Sequence, residues 1–170
     1  MTLLSYSMVT LGTKAPDFSL MGIDGEQHSL AAYSDKKVWG IIFMCNHCPY
    51  VQKIWDDLVA LEKRMPEEVQ FLGINANAAN SDYPEDSFEK MKEYAAEKGQ
   101  EFPYLYDETQ SVAKAYNAQC TPDIFVYGPD RLLIYRGAFE GLEGAVEALL
   151  KGETPSPKQT HSMGCSVKWK

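Results

Sequence analysis

The sequence predicts an α/β domain in which a mixed sheet carries helices on both faces. Residues 37–44 form an almost unbroken apolar run, which is typical of a central strand covered on both sides. Apolar residues then recur at helical spacing over 51–65, and a second apolar run follows at 69–75. Strand, helix and strand in this order predict a parallel crossover, while 124–127 and 132–136 predict an antiparallel hairpin.

Further elements complete the prediction. They are an N-terminal β-hairpin extension of residues 17–21 and 26–30 around a turn at 23–25, a helix at 84–98, a shorter helix at 109–116 and a closing amphipathic helix at 142–150. We interpret the acidic run at 83–86 as the start of its helix, because carboxylates are favoured near the positive end of a helix dipole. Gly99 is the expected stop of that helix.

Length and charge narrow the classes of function. The 170 residues suit one domain, which we place at 1–152, and the Pro- and Ser-containing stretch after it begins a tail, 153–170, that we expect to dock on the same domain. The net charge of −8 argues against nucleic-acid and membrane-surface binding. Residues 1–9 hold no basic residue or long apolar block, so we expect no secretory signal and a cytoplasmic location. In that compartment four cysteines are better interpreted as redox thiols or metal ligands than as structural disulfides.

The most informative motif is Cys45-Asn46-His47-Cys48, where the first central strand ends and the first long helix begins. Free N–H groups and the dipole at a helix start stabilise a thiolate, which is the attacking species in disulfide exchange. Pro49 suits the first turn of that helix. A cationic His47 between the two thiols would stabilise the reduced dithiol and make its disulfide more oxidising. A structural zinc site or two inert cysteines are the alternatives for this motif.

Several segments of the chain resemble the redoxin branch of the thioredoxin superfamily, in particular peroxiredoxin-like proteins related to alkyl hydroperoxide reductase and thiol-specific antioxidant proteins. The segments are Ala15-Pro16-Asp17-Phe18, the Cys45 motif with Pro49-Tyr50-Val51, Tyr83 to Ser87, Phe102-Pro103-Tyr104-Leu105, Cys120-Thr121-Pro122-Asp123 and Gly164 to Trp169. The resemblance implies a thioredoxin fold, an attacking Cys45 and a resolving Cys48. It also implies a cis bond between Thr121 and Pro122 that faces the dithiol, where the backbone of Thr121 pairs with an extended substrate.

The chain departs from its apparent relatives at three places. Trp39 stands where many thioredoxins bury a proton-accepting carboxylate, and Glu101 or Asp107 could substitute for it. Ile42 stands where peroxiredoxins place a threonine, three residues before the peroxidatic cysteine. The loop after Arg136 also lacks the charged residues common in relatives.

These observations favour a thiol–disulfide oxidoreductase that acts on protein or small-molecule disulfides and is renewed by a partner such as thioredoxin or glutathione. A peroxide-consuming thiol peroxidase is the first alternative, and the missing threonine counts against it. The second is a metal-binding protein, with zinc held by Cys45, Cys48, His161 and Cys165, or with copper held by the thiolates. No phosphate-binding or Rossmann motif occurs, so no cofactor is expected.

Three expectations concern individual side chains. Cys45 should be more exposed and more acidic than Cys48. The tail should dock by burying Val167 and Trp169, because an indole is costly to leave in water. If the tail docks beside the dithiol, Cys165 becomes a candidate second resolving thiol or metal ligand. If the loop of Thr121 and Pro122 faces the dithiol, Cys120 also lies near the dithiol. Oxidation is expected to link Cys45 and Cys48 alone.

Overall fold

The computed structural model describes residues 11–155 and 161–170, so the predictions for residues 1–9 lie outside the described part. Its strands are β1 Ser19–Gly22, β2 Gln27–Ser29, β3 Val38–Phe43, β4 Val69–Asn75, β5 Tyr104–Tyr106, β6 Cys120–Thr121, β7 Asp123–Tyr127, β8 Leu133–Gly137 and β9 Cys165–Ser166. Its helices are α1 Pro49–Arg64, α2 Phe88–Lys98, α3 Ser111–Ala115 and α4 Leu142–Leu150. The division into a domain at 1–152 and a tail at 153–170 stays a prediction, since 156–160 also lies outside the described residues.

Seven strands form one mixed sheet in the order β2-β1-β5-β4-β3-β7-β8. The parallel pairs are β3 with β4 and β4 with β5, and the other neighbours are antiparallel. The mixed sheet with helices is the predicted architecture, and the predicted hairpin of β1 and β2 joins it through β5. Strand β5 itself was not predicted, because only three residues separate Pro103 from Asp107 and such a short run carries no clear period.

The sheet separates two apolar layers. Ile42 of β3 packs with Trp55 of α1 and Leu142 of α4 on one face. Its neighbour Ile41 packs with residues of the α3 region, including Val112, on the other face. This alternation follows from the two-residue period of a strand, and it confirms that β3 is central and covered on both sides.

The predicted helix at 84–98 is divided in two. Pro84–Asp86 form a short 3₁₀ turn, and α2 begins only at Phe88, where the Ser87 side chain accepts a hydrogen bond from the backbone N–H of Lys90. Serine is a strong N-cap, so Ser87 sets the start of the helix and leaves Asp86 outside it. The interpretation of the acidic run as a helix start is therefore wrong, and Asp86 is directed elsewhere.

The tail segment forms a second, small sheet with the strand before Pro122. Strand β9 pairs antiparallel with β6, so that Thr121 is opposite Cys165 and Cys120 is opposite Ser166. Across the described residues we find no helix that is both long enough and apolar enough to traverse a bilayer.

Candidate active site

The dithiol lies at the junction between β3 and α1. Cys48 is the N-cap of α1, and Pro49 is its first residue, as the motif predicts. Neither thiol is exposed, since Cys45 retains 1% and Cys48 2% of its accessible surface. The expectation that Cys45 is the more exposed thiol is therefore wrong, because other segments of the chain close over the loop.

The pKa values of the two thiols are shifted in opposite directions. The pKa of Cys48 is lowered to about 4, chiefly by the hydrogen bond from Cys45 and also by hydrogen bonds from Cys165 and from the backbone N–H of Val51, which together outweigh the opposing effect of burial. The same bond to Cys48, then burial and the nearby Asp86, raise the pKa of Cys45 well above its ordinary value. Cys48 is thus the more acidic thiol, contrary to the prediction from sequence, because Cys45 donates a hydrogen bond to it, and the backbone N–H of Val51 at the helix start adds a second donor.

Asp86 holds the loop between the two cysteines. Its Oδ1 accepts hydrogen bonds from the backbone N–H groups of Asn46 at 2.9 Å and His47 at 2.7 Å. The carboxylate is buried, so these bonds are well shielded from water. Sequence reasoning missed this residue, although recognising Ser87 as an N-cap would have placed Asp86 outside the helix.

Asn46 fixes the same loop from within. Its Nδ2 donates to the carbonyl oxygens of Glu85 at 3.0 Å and Ser87 at 3.3 Å, and its Oδ1 accepts from the Tyr104 hydroxyl at 2.8 Å. The side chain of the first residue between the cysteines is therefore fully buried, whereas that of His47 is exposed. The loop is hydrogen-bonded on its inner side and open to solvent at His47.

The Thr121–Pro122 peptide bond is cis, as predicted, and it lies against the dithiol. The Thr121 hydroxyl is 3.5 Å from Cys45 Sγ, and the Thr121 carbonyl oxygen is 3.4 Å from Cys48 Sγ. One residue thus contacts both sulfurs, with its side chain on the first and its backbone on the second.

A cavity of about 240 Å³ opens beside the sulfurs. It is lined by Cys45, His47, Cys48, Asn77, Asp82, Tyr83, Pro84, Glu85, Asp86, Cys165 and Lys168. Three thiols therefore border one space, together with three carboxylates and one lysine. Cys165 belongs to this group because strand β9 carries it there, with its Sγ 3.0 Å from Cys48 Sγ.

The tail docks only partly as expected. Val167 is buried, but Trp169 is 43% exposed, so the expectation that it is buried is wrong. The backbone N–H of Lys168 instead anchors the segment by donating to Asn77 Oδ1 at 2.8 Å. A hydrogen bond from the tail backbone therefore helps to hold the tail on the domain, where we had expected burial of the Trp169 indole to do so.

The two carboxylates considered as substitutes for the missing proton acceptor lie away from the dithiol's lining. Glu101 is exposed and faces Lys63. Asp107 is buried, but it accepts hydrogen bonds from the backbone N–H groups of Val112 and Ala113 and so caps α3.

Asp123 and Arg136 form a buried ion pair next to Pro122. Arg136 Nη2 lies 2.7 Å from Asp123 Oδ2, and both side chains are almost completely enclosed. Burial raises the pKa of Asp123, and the guanidinium of Arg136 opposes that rise. Arg136 of β8, the residue before the loop that departs from the pattern of relatives, thus fixes the strand that follows the cis-proline.

The ligand set suggested for zinc is not assembled. Cys45, Cys48 and Cys165 border the cavity beside the dithiol, whereas His161 lines a different cavity near Tyr50. In the part of the chain that the structure describes, no group of three or more His, Cys, Asp or Glu side chains is arranged to hold a metal ion.

The mixed sheet, the Cys45-x-x-Cys48 loop at the start of α1 and the cis-proline opposite it define a thioredoxin-fold protein with a dithiol site. The chain belongs to the AhpC/TSA family, whose family model matches residues 11–136. It is 30% identical over 122 residues to the thiol-disulfide oxidoreductase ResA of Geobacillus kaustophilus (strain HTA426), covering 69% of this chain and 63% of that protein. The chain thus spans less than two thirds of the length of that relative.

Solved structures agree with this assignment. An uncharacterized conserved protein from Geobacillus kaustophilus superposes with a TM-score of 0.95 at 43% identity, over 100% of this chain and 97% of the other. The thioredoxin domain of a thiol-disulfide oxidoreductase from Bacteroides vulgatus superposes with a TM-score of 0.69 at 16% identity, over 82% of this chain and 97% of the other. The latter match shows the shared thioredoxin fold.

Proposed function

We propose that this chain is a thiol–disulfide oxidoreductase in which Cys45 and Cys48 exchange two electrons with a disulfide substrate. The observation that carries the proposal is the pair of buried thiols at a helix start, both in contact with Thr121 before the cis-proline and with pKa values shifted in opposite directions. A thiolate that persists near neutral pH is the reactive species in disulfide exchange.

The reaction begins with a proton transfer. The Cys48 thiolate accepts the proton of Cys45 and so takes the place of the buried carboxylate that Trp39 replaces. Cys45 then attacks one sulfur of the substrate disulfide, which forms a mixed disulfide and releases the first substrate thiolate, and this thiolate takes the proton from Cys48. Cys48 next attacks the Cys45 sulfur and releases the second thiolate, leaving a Cys45–Cys48 disulfide and a substrate reduced by two electrons.

The substrate that this geometry favours is a small disulfide. The cavity of about 240 Å³ leads to the sulfurs, while the backbone edge of Thr121 is already paired with Cys165 of the tail. An extended protein segment would have to displace that strand, whereas a low-molecular-weight disulfide would not. The partner that renews the dithiol is a thiol donor such as thioredoxin or glutathione, and we place the reaction in the cytoplasm.

A reaction panel on one preparation tests the proposal. With thioredoxin or glutathione as the electron source, we expect reduction of a small aromatic disulfide to be faster than reduction of insulin. A preparation that is folded and fully reduced by thiol titration, yet turns over neither disulfide, would contradict the proposal.

A thiol peroxidase is the second candidate. Membership of the AhpC/TSA family favours it, and so does the Thr121 hydroxyl, which lies 3.5 Å from Cys45 Sγ even though Ile42 occupies the expected threonine position. In this reaction peroxide would oxidise Cys45 to a sulfenic acid. The Cys48 thiol would then condense with that sulfenic acid to form the Cys45–Cys48 disulfide and release water. Consumption of hydrogen peroxide in the same panel, in excess of disulfide reduction, would favour the peroxidase.

A further inference from the structure

The tail occupies the backbone edge that an extended substrate would use. Strand β6 ends at Thr121, immediately before the cis-proline, and β9 pairs with it so that Cys165 is opposite Thr121. Residues paired across an antiparallel ladder direct their side chains to the same face. Cys165 therefore shares the face of Thr121, whose hydroxyl contacts Cys45.

The tail backbone packs closely against β6 at Gly164, the residue before Cys165. A Cβ atom at Gly164 would lie 2.0 Å from the carbonyl oxygen of Thr121, which is backbone and cannot move aside. Ser162 anchors the segment further back, where its hydroxyl donates to the carbonyl oxygen of Gly137 at 2.7 Å. The approach of the tail to β6 is thus a close backbone contact that requires glycine at position 164.

This contact brings a third thiol to the dithiol. The Sγ atoms of Cys48 and Cys165 are 3.0 Å apart and share a hydrogen bond, and Cys165 is 7% exposed. A disulfide needs a separation of about 2.05 Å, so side-chain movement of roughly 1 Å would join them. Cys165 also borders the same cavity as Cys45 and Cys48.

We propose that Cys165 is a third redox-active thiol, which resolves the Cys45–Cys48 disulfide by forming a disulfide with Cys48. This step rests on the proposed function, since a substrate disulfide must first oxidise the pair. The Cys165 sulfur attacks the Cys48 sulfur, the Cys48–Cys165 bond forms and the Cys45–Cys48 bond breaks. Cys45 leaves as a thiolate and takes the proton that Cys165 releases, so Cys165 is oxidised, Cys45 is reduced and the three cysteines hold one disulfide and one thiol both before and after the step.

The step has a clear consequence for the enzyme. Cys45 becomes a free thiol again while the oxidising equivalent is held between α1 and the tail. Burial, followed by the adjacent Cys48, raises the pKa of Cys165 to about 12, and oxidation of Cys48 removes the second of these two effects. The third thiol is therefore held as a thiol beside the reduced pair.

Tryptic mapping separates the two disulfides, because trypsin leaves Cys45 and Cys48 in peptide 38–53, Cys120 in 115–131 and Cys165 in 159–168. The Cys45→Ser variant is treated with oxidised glutathione, remaining thiols are alkylated and the digest is analysed without reductant. We expect peptide 38–53 to be joined to 159–168. A variant in which Cys48 stays glutathionylated and Cys165 is fully alkylated would overturn the proposal.

A second pair of variants removes no cysteine. In the wild-type background, Gly164→Ala should displace the tail and abolish the joined peptide, while Met163→Ala, at an exposed neighbouring side chain, should leave it unchanged. Circular dichroism confirms that each variant is folded. Equal amounts of joined peptide in Gly164→Ala and wild type would contradict the docking geometry on which the proposal stands.

The same digest of the wild-type protein distinguishes this proposal from the proposed function. An internal disulfide in 38–53, without any joined peptide in wild type or in Cys45→Ser, would retain the oxidoreductase and refute the third thiol. No disulfide in either peptide would refute both.

Discussion

Cys120 and Cys165 lie on two paired strands, one register position apart, and both are buried, yet their polar contacts differ. Cys165 lies opposite Thr121 and reaches Cys48 at 3.0 Å. Cys120 precedes Thr121, so its side chain is directed to the other face of β6, where its Sγ contacts only the Pro122 carbonyl oxygen among the polar contacts described, at 3.7 Å. A shift of one residue would exchange these environments, so the register of two short strands decides which thiol is near the chemistry.

The pKa shifts of the thiols on the two faces of β6 differ as well. Burial, followed by the charge of Asp123, raises the pKa of Cys120 far above that of a free thiol. An inert buried thiol of this kind packs as a small apolar residue. On the other face, the donors around Cys48 keep a thiolate within reach of Cys165. We therefore expect substitutions on the Cys165 face to change reactivity, and substitutions on the Cys120 face to change stability.

The largest expected effect is on turnover. Cys48→Ala should reduce disulfide reduction to the background rate, because Cys48 is the thiol with which both Cys45 and Cys165 would form a disulfide. Cys45→Ala should slow the reaction strongly, because it removes the attacking thiol. Cys120→Ala should retain wild-type turnover. The measurement is the initial rate of small-disulfide reduction with each variant at equal concentration of folded protein, and a folded but inactive Cys120→Ala would break the distinction between the two faces.

The next effect is on stability. Arg136→Met should lower the free energy of unfolding by about 3–5 kcal/mol, because it leaves the buried Asp123 carboxylate without its partner. The matched control is Arg64→Met, which breaks the exposed pair with Glu143 and should cost at most about 1 kcal/mol. Denaturant unfolding measures both values, and equal losses in the two variants would show that the Asp123–Arg136 pair does not stabilise this side of the molecule.

The smallest expected effect is the ionisation of a single thiol. Because the pKa of Cys48 is lowered to about 4, its thiolate predominates above that pH and is protonated as the pH falls through it. The ultraviolet absorbance of the reduced protein should therefore show a step near pH 4 that Cys48→Ser lacks. Cys165→Ala should move the step to higher pH by removing one hydrogen bond to the thiolate, while Cys120→Ala should leave it in place. A step at the ordinary thiol pKa in the wild-type protein would refute this assignment of charge.

Much of the fold could be predicted because its signals are local. The apolar run of β4 was predicted with its observed bounds, and the period of α1 and the Cys-x-x-Cys motif before Pro49 placed the dithiol at a helix start. Each of these signals lies within one element and reflects its own period or capping chemistry. The cis bond at Thr121–Pro122 was predicted from a family resemblance, again carried by adjacent residues.

The remainder of the site depends on contacts between distant parts of the chain. Sequence alone determined that the molecule is an α/β domain with a dithiol between its first central strand and its first long helix. Only the tertiary structure decided that Asp86 holds the dithiol loop, that Cys165 reaches Cys48 and that Cys48 carries the charge. The physical reason is that burial, hydrogen-bond donors and strand register are set by whichever segments pack together, and two-residue strands such as β6 and β9 carry no period from which that packing could be predicted.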